Sequence, residues 1–419
     1  MEKRQITEPH QLSASPSSPF RSFWQAGYEC ADHVNNRGQR VDLLAVTGHD
    51  RHTAAHYAAL RPFGIGTVRE GIRWAVVERR PGLYRWTEVR HRLAAARTAG
   101  IQQVWDICHF GYPADLSPLH PRFEARFAAV CAAFARLYRD TTDEPLLVTP
   151  INEMSFISWL GGEVAGTVPF ARGIGFDVKY RLAAAYIAGA AAIRAVDPAA
   201  RLLTTEPLIN IVPPDPAHLA EHQFHLLDEA RGHHEAQFQA LDLLSGRICP
   251  ELGGHPDVLD IVGVNYYYDN QWVHTQHVLG WGDTPPDPRL APLHRLLADV
   301  WERYRRPLFI AETSHPGADR PHWLHQTAAE CRRAIELGIP LLGVCLYPIL
   351  DRPDWDDLIT WHRAGLWDAR LPAPPDGTPP PMELCEPYAA ALLDAQRVVG
   401  GAADGWLAQA TQLDRVLVR

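Results

Sequence analysis

The chain has 419 residues, 46% hydrophobic and 21% charged, with a net charge of −9 and no basic cluster. That balance is globular and supplies a large core. It argues against nucleic acid, anionic membrane surfaces and phosphorylated substrates as partners.

Residues 1–19 predict a disordered or extended lead-in, and Met1 to Ser18 contains no apolar segment of the kind a signal peptide needs. No run of 18 apolar residues occurs, so no membrane span is expected. Seven cysteines, an odd number without a Cys-x-x-Cys pair, read as reduced buried thiols, as expected of a cytoplasmic protein.

From there, strand-like and helix-like runs alternate. Strand 22–30 precedes helix 51–63, strand 67–74 precedes helix 86–99, and strand 103–110 precedes helix 122–139. Strand 146–152 leads to helix 179–196, and strand 201–206 to helix 235–244. Strands 259–267, 308–313 and 342–350 lead to helices 290–304, 323–337 and 386–398. The strands are rich in Val, Ile, Leu and aromatics, as strands covered on both faces must be. Gly64, Gly100, Asp197-Pro198, Gly246 and Gly338 read as helix stops. Eight β-then-α units over residues 20–419 predict one closed (β/α)8 TIM barrel. No Gly-x-Gly-x-x-Gly follows the first strand, which disfavours a dinucleotide-binding sheet. Long strand-to-helix loops at 207–234, 268–289 and 351–384, the last with a stiff Pro-rich stretch at 371–381, would build a pocket at the strands' C-terminal mouth.

Two of the apolar strands end in a glutamate. Leu146 to Ile151 runs into Asn152-Glu153, and Pro307 to Ala311 runs into Glu312. An isolated glutamate is most often a rim charge or helix cap. A pair ending strands four and seven of a barrel can instead face across the mouth, with carboxyls about 5 Å apart as in retaining glycosidases. At that spacing one carboxyl stays protonated as acid while the other attacks. The Asn152 amide is placed to hydrogen-bond a sugar 2-OH.

The same residues carry a family resemblance. From about Phe23 to Trp367 the chain resembles clan A glycoside hydrolases, most of all family 1 β-glycosidases. The resemblance implies that Asn152-Glu153 is the Asn-Glu pair with the acid/base. It implies that Ala311-Glu312-Thr313-Ser314 replaces the Thr-Glu-Asn-Gly motif of the nucleophile, with the Asn-Gly lost. His109-Phe110-Gly111-Tyr112-Pro113 stands for His-Trp-Asp-Leu-Pro, keeping the glycone-binding His109. Asn265-Tyr266-Tyr267 matches Asn-Tyr-Tyr, with Asn265 toward substrate and Tyr267 on the nucleophile. Arg69 matches the strand-two arginine beside the nucleophile. The strand-eight run aligns on Tyr347 through Trp355. It puts Asp354 where a glutamate grips O4 and O6, Trp355 where an indole packs on the sugar, and Tyr347 in place of the platform tryptophan. The strand-one glutamine is missing, and Glu29 and Asp32 are the two candidates to substitute.

Each residue also has a plain structural reading: Arg69 as a strut to Glu70 or another core acid, His109 as a satisfied core histidine, Tyr267 as aromatic packing, Trp355 as a loop anchor. Trp74 and Trp105 read as packing residues. The pairs His49-x-x-His52, His233-His234-Glu235 and His322-x-x-His325 lack HExxH spacing and a third ligand, and the acidic run Asp354 to Asp357 lacks the features of an EF-hand loop. No metal and no cofactor is expected. The sequence thus predicts a cofactor-free retaining exo-β-glycosidase, β-glucosidase-like, acting on small β-glycosides, with a homo-oligomer left open. A non-hydrolytic carbohydrate-binding barrel is the alternative, and a metal-dependent barrel hydrolase a more distant one.

Overall fold

A computed structural model describes residues 18–413 except residue 375. The expected lead-in therefore falls largely outside the described residues. Eight parallel strands close into a barrel: β1 (Trp24–Gly27), β2 (Thr67–Gly71), β3 (Gln102–Cys108), β4 (Leu147–Ile151), β5 (Arg201–Pro207), β6 (Ile261–Asn265), β7 (Leu308–Thr313) and β8 (Leu341–Leu346). Each strand pairs with its neighbours in chain order, and β1 closes on β8 through Trp24↔Val344 and Ala26↔Leu346. This is the predicted (β/α)8 architecture.

The outer layer is α1 (His49–Ala59), α2 (Thr87–Ala99), α3 (Phe123–Thr141), α4 (Gly175–Val196), α5 (Gln239–Leu244), α6 (Leu293–Tyr304), α7 (Arg320–Glu336) and α8 (Glu386–Leu413). The helices form where apolar residues recur at helical spacing. In α3, Phe123, Phe127, Val130, Phe134 and Leu137 are buried on one stripe. α2 stops where expected, at Gly100, whose φ of 71° is the left-handed conformation glycine adopts without a Cβ penalty.

Strand interiors alternate as the pleat requires. On β2, Arg69 points into the barrel, while Glu70 points out to Arg92 of α2 at 2.6 Å and His49 of α1 at 2.7 Å. Arg69 is thus no strut to Glu70; the core acid it pairs with is Asp106. Trp105 turns outward against Phe134, and Trp74 packs on Phe123 and Phe127 with its indole N–H on Glu78 at 2.7 Å. Both are the packing residues expected.

Several boundaries differ from the sequence reading. The strand predicted at 67–74 ends at Gly71, because Trp74 opens a short helical turn, Trp74–Val77. The strand predicted at 342–350 ends at Leu346, because the chain leaves the sheet to cross the mouth. The helix predicted at 235–244 is two helices, His225–Ala236 and α5, separated at Gln237 and Phe238. Helix 51–63 begins two residues earlier, at His49, and ends in the separate 3-10 turn Arg61–Phe63. All seven cysteines are free, and Cys249 and Cys385 are only partly buried. Among the described residues no helix is long and apolar enough to cross a membrane.

Candidate active site

The strands' C-terminal ends gather a cluster of charged residues that the barrel walls cut off from bulk water. Arg69, at 1% exposure, is its centre. Its Nε donates to Asp106 Oδ1 at 3.1 Å, and Nη2 lies 2.7 Å from Asp106 Oδ2. Nη2 also donates to Asn152 Oδ1 at 2.7 Å. Nη1 donates to Glu312 Oε1 at 2.6 Å and to the Ala311 carbonyl at 3.2 Å. Every N–H of the guanidinium has an acceptor, which is how a buried arginine avoids the cost of an unpaired charge.

Glu312 is the fifth residue of β7 and lies in register with Asn265 of β6. Its second oxygen accepts from the Tyr267 hydroxyl at 2.8 Å. Both oxygens are therefore held, one by a guanidinium and one by a phenol. Glu153 follows β4. Its N–H donates to the Thr205 carbonyl of β5 at 2.8 Å, and its Oε1 accepts from Asn265 Nδ2 at 2.8 Å. Asn265 thus touches one carboxylate by its side chain and neighbours the other along the sheet. Burial pushes the Glu153 carboxyl well above its usual range; the charge of Glu312, and then that of Glu206, push the same way against the Asn265 amide and His109. Glu153 keeps 9% of its surface exposed and Glu312 5%, so both open onto the mouth.

His109 sits on Asp106, with Nδ1 donating to Oδ2 at 2.8 Å. Burial disfavours its charged form, but the Cys30 sulfur beside it, the Asp106 hydrogen bond and Glu29 prevail, and the imidazole holds its second proton well above the usual range. Its Nε2 lies 3.1 Å from the Tyr347 hydroxyl and 3.4 Å from the Asn152 amide nitrogen, and that hydroxyl lies 3.3 Å from Glu29 Oε1. Both ring nitrogens of the histidine expected to bind the glycone thus have neighbours within the protein. Tyr347 lies parallel to His109, with the Arg69 guanidinium 5.2 Å from its ring centre.

The two strand-one candidates separate. Glu29 joins the cluster, with Oε2 3.2 Å from Arg352 Nε. Asp32 does not: its Oδ2 accepts from the Ala75 N–H, and its backbone oxygen takes Arg40. Trp355 forms one wall, with ring centres 4.4 Å from His33 and 5.0 Å from Phe110. Asp354 turns into its own loop. Its Oδ1 accepts from the amides of Asp356 and Asp357, and its Oδ2 is 3.5 Å from His362.

Two residues escaped the sequence reading. Asp106 joins Arg69 to His109, and the signal was available: a lone acid inside an apolar barrel strand requires a partner. Glu206 ends β5 just as Glu153 and Glu312 end theirs, and its oxygens take the amides of Met154 and Ser155.

Of the described residues, Cys30, Asp106 and His109 come within mutual ligand reach. They do not fit a cation. The Asp106 oxygen they would offer already holds Arg69 and His109, and the guanidinium charge 2.7 Å away opposes a second positive charge there. None of the three histidine pairs from the sequence belongs to that group.

No family model and no curated protein sequence matches the chain. Solved structures do. A β-glucosidase from Thermotoga maritima in complex with glucoimidazole superposes with a TM-score of 0.72 at 14% identity, over 90% of this chain and 99% of that one. A family 1 β-glucosidase of the same organism gives 0.70 at 14%, over 93% and 99%. A hyperthermophilic β-glucosidase mutant that forms a dodecamer in its crystal gives 0.68 at 15%, over 89% and 99%. The chain shares the β-glucosidase fold. At this identity the likeness establishes the barrel alone, and the chemistry rests on the residues above.

Proposed function

We propose that the protein is a retaining β-glycosidase acting on small β-glycosides, with Glu312 as nucleophile and Glu153 as acid/base. The observation that carries this reading is the unequal dress of the two carboxylates. Glu312 is held on both oxygens by Arg69 and Tyr267, the setting of an aimed nucleophile. Glu153 has one amide donor and no cation in hydrogen-bond contact, and its carboxyl is pushed up, the setting of a proton donor.

In the first step Glu312 attacks the anomeric carbon while Glu153 gives its proton to the departing glycosidic oxygen. In the second, Glu153 takes a proton from water, the water oxygen attacks the anomeric carbon, and the Glu312 ester breaks. Arg69 carries Asn152 and Glu312 on one rigid guanidinium, so the acid/base strand and the nucleophile strand are spaced by a single side chain.

Glu312→Ala is expected to lower turnover of an aryl β-glycoside by more than about 10³-fold, and azide is expected to restore part of it as the α-glycosyl azide. Near-parental rates in that variant would sink the assignment.

A further inference from the structure

We infer that Glu206 is a positioning residue for the acid/base carboxyl: it caps the helix that Glu153 begins and so leaves the Glu153 side chain free for the pocket. The inference rests on the proposed role of Glu153 and extends it to a residue with no contact to substrate.

Glu153 is the N-cap of the short helix Met154–Ser158. An N-cap side chain ordinarily folds back to accept from the first free amides of its own helix. Glu153 makes no such bond. Glu206 makes it instead, from β5: Oε1 accepts from the Met154 N–H at 2.7 Å and Oε2 from the Ser155 N–H at 3.1 Å. The residue before Glu206, Thr205, accepts the N–H of Glu153 itself at 2.8 Å. Two consecutive residues of one strand thus hold the peptides on both sides of Glu153.

That hold is needed. Glu153 has φ 46°, a left-handed conformation that a residue with a Cβ adopts only when its surroundings impose it. Without the Glu206 bonds, the backbone can relax, and the Glu153 carboxyl has two amides within its own reach to cap. Either change turns the proton donor away from Asn265 and from the glycosidic oxygen.

The charges around the pair are few. Glu312 from β7, Asn265 at the end of β6, Tyr267 just after it and His109 just after β3 face Glu153. Lys179 of α4 faces Glu206 and donates to Gln239 Oε1 at 3.0 Å. Glu206 is 2% exposed, so its charge acts on Glu153 through little water.

The test is Glu206→Gln in the full chain, with Glu206→Asp as a second variant if the first does not fold. Gln keeps one acceptor and loses the other; Asp keeps both and shortens the reach. For an alkyl β-glycoside, whose leaving group needs the proton, kcat/KM is expected to fall roughly 10- to 100-fold. For a dinitrophenyl β-glycoside, which leaves unaided, the loss is expected to stay within about threefold. In Glu206→Gln the alkaline limb of kcat/KM should move to lower pH, since one negative neighbour of Glu153 is gone; Glu206→Asp keeps that charge and is judged on the two substrates alone. Equal losses on both substrates, no loss on either, or an unmoved alkaline limb in Glu206→Gln would overturn the inference. The Glu153 carboxyl is also followed by 13C NMR, where its titration is expected to shift to lower pH in Glu206→Gln. This readout needs no turnover. If the parent cleaves no β-glycoside, the glycosidase reading fails, and an unmoved Glu153 titration would still overturn the positioning role separately.

Discussion

Glu29 and Asp32 lie three residues apart in one loop, both buried, yet the fold gives them opposite fates. Arg352 and His109 overcome burial at Glu29 and hold its carboxyl below the usual range. At Asp32 burial prevails over Arg40 and, with Asp42 adding to it, raises the pKa to about 7, and its Oδ1 has no partner. In the unfolded chain an aspartate ionises near pH 4. Between about pH 4 and 7 the unfolded state therefore gives up this proton first, and stability falls as pH rises, by about 4 kcal/mol in all. The contribution is intact below pH 4 and spent above pH 7. Asp32→Asn keeps an acceptor for the Ala75 amide and removes the titration. Relative to the parent, its stability should climb across that window and run flat on either side. Denaturant unfolding at pH 4, 5.5 and 7.5 measures the difference, and a difference independent of pH would refute the account. No local pattern distinguishes these two acids in the sequence, because what separates them is supplied by Arg352 and by the packing of Gly111 against Asp32.

Among elements, the junction of β1 with the end of β8 sets the floor of the site. Gly27 ends β1, and a Cβ there would lie 2.0 Å from Tyr347 Cδ2. The missing side chain is what lets the Tyr347 ring lie flat beside His109 and under Arg69. Gly27→Ala should push the ring toward the carboxylates and lower kcat/KM by roughly tenfold or more while the barrel stays folded. Adding Gly27→Ala to Tyr347→Leu should cost far less, a non-additivity read from the four-protein cycle. Additive losses would count against the contact. Most strands were legible as apolar runs, because a parallel strand covered on both faces is mainly apolar, whereas β2 carries Thr67, Arg69 and Glu70 and buries them by pairing. Glu153 and Glu312 were legible because each breaks an apolar run; Glu206 was not, since the Thr204-Thr205 before it leaves no such run to break. The helix Met154–Ser158 and the β1 loop were not, since neither has periodicity long enough to read. Nor was the closure of His109 onto Tyr347, which joins strands distant in sequence.

On the scale of the whole molecule, the cluster draws on the loop after β1, on β2, β3, β4, β6, β7 and on the segment after β8, with β5 holding Glu153 from behind. No contiguous part of the chain contains it, so the site exists only when the ring is closed. Closure depends on the last helix. α8 packs on α7 and reaches back to the turn after α1, where Gln396 Nε2 donates to the Phe63 carbonyl at 2.7 Å. It buries Tyr388, Leu392 and Val399 to 1% exposure or less, and Arg320 of α7 lies 5.7 Å from the Tyr388 ring centre. Burial of three such side chains contributes on the order of 6 kcal/mol. A domain's entire margin is about 5–15 kcal/mol. Ending the chain at Cys385 should therefore not yield a shortened but working barrel. It should lose the cooperative thermal transition and expose apolar surface, read by circular dichroism and by binding of a hydrophobic dye. Leu392→Ala, a milder cut at the same interface, should cost about 2–5 kcal/mol and leave kcat/KM unchanged below the melting point, since among the described residues no hydrogen bond or ion pair joins α8 to the cluster. A truncated chain that melts cooperatively at the parental temperature would mean that the ring closes without this helix.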